Sequence, residues 1–110
     1  MAGPDTIEFN AESFDELIGS SDKPVLVDFW APWCAPCRVV GPVVDEIATE
    51  LVGEAIVGKV NVDDVPQIAA RFGISSIPTL IVFRGGEPAE VLVGLRPKDA
   101  IVDAIRGATV

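Results

Sequence analysis

The stretch Val25-Leu26-Val27-Asp28-Phe29-Trp30-Ala31-Pro32-Trp33-Cys34-Ala35-Pro36-Cys37-Arg38 joins a strand signal to a helix signal across two cysteines. Val25 to Trp30 is β-branched, aromatic and almost continuously apolar, the pattern of a central strand covered on both faces, and only Asp28 breaks the run. Downstream, Val40, Val43, Val44, Ile47, Ala48 and Leu51 recur at steps of three and four, the period of a helix with one buried face. That helix begins at the cysteines. Pro42 lies about one turn inside it, where a missing N–H predicts a bend, and Gly53 is expected to end it.

The remaining elements follow from this junction. Ala55 to Val60 reads as a second buried strand, interrupted by Lys59. Asp64-Val65-Pro66 reads as a cap and a first-turn proline opening a short helix to Phe72. Pro78 precedes a strand over Thr79 to Phe83, and Gly85-Gly86 turns it back into Glu90 to Val93 as an antiparallel hairpin. Pro97 opens a last helix whose apolar face is Ile101, Val102 and Ile105, although Arg96 is a poor capping residue. Upstream, Thr6 to Phe9 gives a weak strand and Ser13 to Ile18 a short helix. The order β-α-β-α-β-α-β-β-α predicts an α/β fold with a mixed sheet between helices. With no repeat, linker or low-complexity stretch, residues 1–110 are expected to form one domain.

Composition narrows the function. Eight Lys and Arg stand against 17 Asp and Glu, so a net charge of −9 repels phosphate backbones and anionic lipid alike. Neither nucleic acid nor a membrane is expected as a partner. No run reaches the roughly 18 apolar residues of a membrane span, and the start carries neither a basic segment nor a hydrophobic signal stretch. The expected location is therefore cytoplasmic, although a mature secreted form has the same appearance. With two cysteines and no histidine, a zinc site within one chain lacks half its ligands.

Cys34 and Cys37 sit where a buried strand gives way to a helix, the context that makes a C-x-x-C spacing a redox motif. Unpaired N–H groups and a positive partial charge at a helix N-terminus favour thiolate over thiol, and thiolate is the nucleophile. Cys34 is thus the expected attacker. Cys37, about one turn further in, is the expected resolving thiol, placed to break a mixed disulfide formed on Cys34. Three other readings stand beside this one. A static disulfide closing so short a loop constrains the unfolded chain little. Two inert buried thiols leave the adjoining proline and tryptophan unexplained, and zinc needs a second chain. Asp28 adds to the redox reading, because a carboxylate in a doubly covered strand is costly to ionise and its pKa should be raised. By alternation it shares a face with Leu26 and Trp30.

The segment Val27 to Arg38, with Ile77-Pro78-Thr79 and Val93-Gly94 downstream, resembles the thioredoxin family, and the likeness runs in register from about Ser13 to Gly107. The resemblance implies the thioredoxin fold, a central five-stranded mixed sheet flanked by four helices, with the cysteines at the amino end of the second. It implies a thiol-disulfide oxidoreductase that reduces disulfides in target proteins and is recharged by an NADPH-dependent, flavin-containing thioredoxin reductase. The chain itself is expected to bind no cofactor and to act as a monomer. The family commonly has Gly-Pro between its cysteines where this chain has Ala35-Pro36, which leaves the reduction potential open.

The resemblance also places Asp28 beneath Cys37, as the base that takes the resolving thiol's proton, in a chain without histidine. A buried aspartate satisfied for structural reasons is the alternative. Lys59 is placed near that aspartate, where it modulates the titration, solvent exposure being the competing reading. Ile77-Pro78 reads from sequence as a trans loop bond, whereas the resemblance implies a cis bond facing the cysteines that leaves the Ile77 backbone free to pair with an extended substrate. Trp33, Ala35, Pro36, Ile77, Pro78, Val93 and Gly94 then form an apolar patch around Cys34 that tolerates many partners. Two rivals remain at this point: an oxidase or isomerase of an oxidising compartment, and a binding module whose thiols are dispensable.

Overall fold

The computed structural model describes residues 2–108, along which the elements are β1 (Ile7–Glu8), α1 (Ala11–Ser20), β2 (Val25–Trp30), α2 (Ala35–Glu50), β3 (Ile56–Asn61), α3 (Pro66–Arg71), β4 (Thr79–Arg84), β5 (Glu87–Val93) and α4 (Lys98–Gly107). The strands form one five-stranded sheet in the order β1-β3-β2-β4-β5. β3 runs parallel to β1 and β2, while β4 is antiparallel to β2 and to β5. β2 is therefore central, and all but Trp30 of its side chains are buried.

Alternation divides the core by sheet face. Leu26, Val57, Leu80 and Val82 point to one side and pack under Val40, Val44 and Ile47 of α2 and Ile101 and Ile105 of α4. Val25, Val27, Phe29, Val60, Ile81 and Phe83 point to the other side, against Phe14 and Ile18 of α1 and Ile68 of α3. Edge-to-face aromatic pairs tie this second layer together, with Phe14 in contact with Phe9, Phe72 and Phe83 at centroid separations of 5.6–5.8 Å. Gly58 makes that packing possible. A Cβ there would lie 2.2 Å from the Phe9 ring, so only glycine lets the ring rest on β3.

Several element limits differ from the sequence reading. α1 is longer at both ends, and its earlier start follows from the reciprocal capping box that Asn10 and Ser13 form one turn before the expected start. α2 closes at Leu51, whose N–H reaches the Ile47 carbonyl, and Gly53 (φ +86°) sits in the turn beyond it. The helix continues through Pro42. Asp64 does not cap α3; Val65 occupies the cap position without any side-chain bond. α4 starts at Lys98, with Pro97 as its uncapped boundary residue. β1 shrinks to Ile7–Glu8, an exposed edge pairing with Gly58 and Lys59, and β5 extends back to Glu87, tolerating Pro88 because it lies at the sheet edge. The turn between β4 and β5 is the expected Gly85-Gly86, both with positive φ.

Candidate active site

α2 grows out of β2 through four residues, Ala31 to Cys34, and its axis begins at Cys34. Cys34 is the N-cap residue, in extended conformation, and its Sγ accepts the Cys37 N–H at 3.2 Å. A sulfur in a position usually filled by a serine or aspartate oxygen receives the orphan N–H of the first turn, and this favours negative charge on that sulfur. Pro36 within the first turn lacks an N–H, which costs nothing where no intrahelical partner exists. Cys34 and Cys37 are joined as a disulfide, with Cα atoms 5.3 Å apart. They are only 5% and 3% exposed and pack on Ala31, with Trp30, Val62 and Ile77 around them.

The loop before β4 faces the disulfide. The Ile77-Pro78 bond is cis, as the resemblance implies, and the Ile77 carbonyl oxygen is 3.8 Å from Cys34 Sγ. Thr79 Oγ1 donates to the Ser76 carbonyl at 2.6 Å, and the Gly94 N–H donates to the Pro78 carbonyl at 2.9 Å. Val93, opposite Thr79 in the hairpin, and Gly94 are thereby held beside Pro78. Trp33 is 67% exposed and Val93 49%, Ala35 and Pro36 are exposed, Ile77 and Gly94 are half-buried and Pro78 is buried. The predicted patch thus comes from the β2–α2 junction, the cis-proline loop and the end of β5. One neighbour was not foreseen: the Trp33 indole N–H donates to the Asp63 carboxylate at 3.0 Å. Asp63 follows β3 in a polar turn, and nothing in its spacing distinguishes it from a solvated loop residue.

Asp28 is 1% exposed and its Oδ1 has no hydrogen-bond partner. Burial pushes its pKa up to about 7, against the opposing pull of Lys59 and with some help from the negative charge of Asp45. Lys59 stands directly opposite Asp28 across β2 and β3 and is 5% exposed, which removes the reading of Lys59 as a solvated side chain. Its Nζ donates to the Gly41 carbonyl at 3.3 Å and lies 3.2 Å from the Asp45 carboxylate. Asp45, on α2, is the second residue that the sequence reading missed. Its signal was present only as an acidic residue interrupting the helical run after Val44, which is equally the mark of a solvated helix face. Asp28, Cys37, Lys59, Asp45, Trp30 and Arg38 border a cleft of about 630 Å³ leading in from the surface. Asp28 thus lies in the lining of the cleft beside Cys37 and Lys59.

The Thioredoxin family model matches residues 5–107. The chain belongs to the thioredoxin family. Thioredoxin 1 of Nostoc sp. (strain PCC 7120) is 54% identical over 89 residues, which is 81% of this chain and 83% of that protein. The chloroplastic M-type thioredoxin of Chlamydomonas reinhardtii is 48% identical over 96 residues, 87% of this chain and 69% of its own length. Among solved structures, a single-site mutant of a thioredoxin from Halobacterium salinarum NRC-1 superposes with a TM-score of 0.87 at 36% identity, over 100% of this chain and 96% of that one. Family membership and the paired cysteines make this protein a thiol-disulfide oxidoreductase with the thioredoxin fold. Thioredoxins act on disulfides, and here the acting pair is the one at the N-terminus of α2.

Proposed function

We propose that this thioredoxin, a single domain over residues 1–110, reduces disulfides of target proteins, with Cys34 as nucleophile, Cys37 as resolving thiol and Asp28 as proton acceptor. The observation that carries the reading is Cys34 at the N-cap of α2, its sulfur receiving the Cys37 N–H. In the dithiol form, Cys34 thiolate attacks one sulfur of a target disulfide, breaks the S–S bond and expels a target thiolate, which takes a proton from solvent. Asp28 then accepts the Cys37 proton, and the Cys37 thiolate attacks Cys34 Sγ. The mixed disulfide breaks, the second target sulfur leaves as a thiolate that takes a proton from solvent, the Asp28 proton returns to solvent, and two electrons have passed from the dithiol to the target.

Trp33, Ala35, Pro36, Ile77, Pro78, Val93 and Gly94 are the proposed docking surface, with the Ile77 backbone pairing to an extended target segment. Lys59 tunes Asp28 across the sheet. Recharging of the disulfide form is assigned to an NADPH-dependent flavin-containing thioredoxin reductase, and the location to the cytoplasm. The relatives support the chemistry, while several of them are named chloroplastic. No helix among the described residues is long and apolar enough to cross a membrane.

Reduction of insulin disulfides with dithiothreitol as electron source tests the roles. Cys34→Ser should fall to the uncatalysed background. Cys37→Ser, reduced beforehand and freed of dithiothreitol before insulin is added, should accumulate a covalent adduct with the target, visible on a non-reducing gel. Retention of the parent rate by Cys34→Ser removes the proposed nucleophile.

A further inference from the structure

The sheet places Lys59 opposite Asp28, but its ammonium is drawn toward α2, to the Gly41 carbonyl at 3.3 Å and the Asp45 carboxylate at 3.2 Å. Asp45 is in turn fixed from the other side by the segment before β1. Thr6 Oγ1 donates to its Oδ1 at 2.8 Å, and the Gly3 backbone packs against the same side chain, lowering the Asp45 pKa together with Thr6. A turn bond from the Thr6 N–H to the Gly3 carbonyl, at 3.2 Å, shapes that segment, and Ala2 and Gly3 form part of the cleft wall. Asp28, which also lines the cleft, has its Oδ1 left without a partner.

We propose that Asp45 is a positioning residue for the proton transfer: by anchoring Lys59 Nζ to α2, it leaves the Asp28 carboxyl open to Cys37 and water. This rests on the reading of Asp28 as proton acceptor. The elements packed around Asp28 differ in the charge they bring. α2 supplies Cys37, Arg38 and Asp45 to the cleft, β3 supplies Lys59, and β4 presents the apolar Leu80 opposite Asp28. A buried carboxylic acid with an adjacent ammonium has two outcomes. If the ammonium bonds directly to it, the acid stays ionised and has little affinity for a thiol proton; if the ammonium is anchored elsewhere, the acid titrates in the range of thiol chemistry. Asp45 selects the second outcome, and its own anionic charge acts in the same direction. The ties from Thr6 and Gly3 hold the Asp45 pKa down although burial opposes them, so the anchor stays ionised while Asp28 titrates.

The test is a carbon-13 NMR titration of the Asp28 carboxyl in the intact chain, paired with the pH profile of insulin reduction. Asp45→Asn keeps the shape of the side chain and an oxygen to accept from Thr6. It should lower the Asp28 midpoint by about one pH unit, because loss of a nearby like charge and release of the lysine act with the same sign. Asp45→Glu, which retains the anion, should leave the midpoint within about 0.3 of a pH unit of the parent, since a like charge at nearly the same place preserves the interaction. In a Lys59→Gln background the Asp45→Asn change should move the midpoint by less than half as much. No fall, an equal fall in Asp45→Glu, or an equal fall in the Lys59→Gln background each overturns the proposal. Failure of the underlying reading has a different signature: Asp28→Asn would leave the pH profile of reduction unchanged, whatever the carboxyl titration shows.

Discussion

A single buried carboxyl makes the fold's stability depend on pH. Asp28 has a pKa of about 7 in the folded chain against an ordinary 3.8. Below the lower value it is protonated in both states and does not oppose folding. Between the two, the unfolded chain releases the proton while the folded chain keeps it, so stability falls as pH rises. At about 1.4 kcal/mol per pH unit the total approaches ~4 kcal/mol. Asp28→Asn should therefore gain little stability at pH 4 and about 2 kcal/mol or more at pH 8, the amide retaining some desolvation cost. Urea unfolding of the disulfide form at the two pH values measures this, and an equal gain at both would show that packing rather than charge is responsible. Asp28 was legible in the sequence because an acid inside an apolar strand has few innocent explanations. Asp45 and Asp63 were not, because an acid on a helix or in a turn is ordinary, and their partners Lys59 and Trp33 are brought near only by the sheet.

Elements were easiest to read where side-chain periodicity is enforced by burial on a face, and hardest where a local hydrogen bond sets the end. β2 and the body of α2 followed from apolar spacing alone. The start of α1 depended on Asn10 and Ser13 bonding each other's backbone at 2.8 and 3.0 Å, a reciprocity between two common polar residues. Asp64 had the right chemistry for a cap but not the position, since Pro66 opens α3 and puts Val65 in the cap place. Gly58 illustrates the converse, a residue whose reason lies wholly outside its own strand. Gly58→Ala should destabilise the protein by roughly 2 kcal/mol, because the new methyl group collides with a ring confined by Phe14, and overpacked cores relax poorly. A denaturant midpoint unchanged from the parent would mean that Phe9 can leave β3 without loss.

At the scale of the molecule, charge is unbalanced. The formal total is −9, and several of its few cations are already engaged: Arg71 with Asp15, Lys98 with Glu46 and Glu50, and Arg106 with Glu54. These exposed pairs are weak individually, while repulsion among the many remaining acids extends over the whole surface. Raising sodium chloride from about 0.05 to about 0.5 M shortens the screening length and should increase stability by roughly 1 kcal/mol, a rise in Tm of about 5 °C. A fall in Tm over that range would show that the ion pairs outweigh the repulsion. The sign of the net charge was plain from the sequence, but which acids had found cations required the fold, because each of these pairs joins residues far apart in the chain.

The two cores on opposite faces of the sheet are separate in their duties as well as in space. Asp28, Lys59 and Cys37 all belong to the side roofed by α2, and the aromatic layer under α1 and α3 carries no reacting group. Among the described residues, Val62 and Ile77 are the partly buried side chains that adjoin both that layer and the cysteines. Sequence drift or redesign beneath α1 can accordingly alter how long the molecule survives heat while its electron chemistry stays as it was, provided those two side chains are spared. The sheet works as a partition, with durability adjustable on one side and reactivity kept on the other.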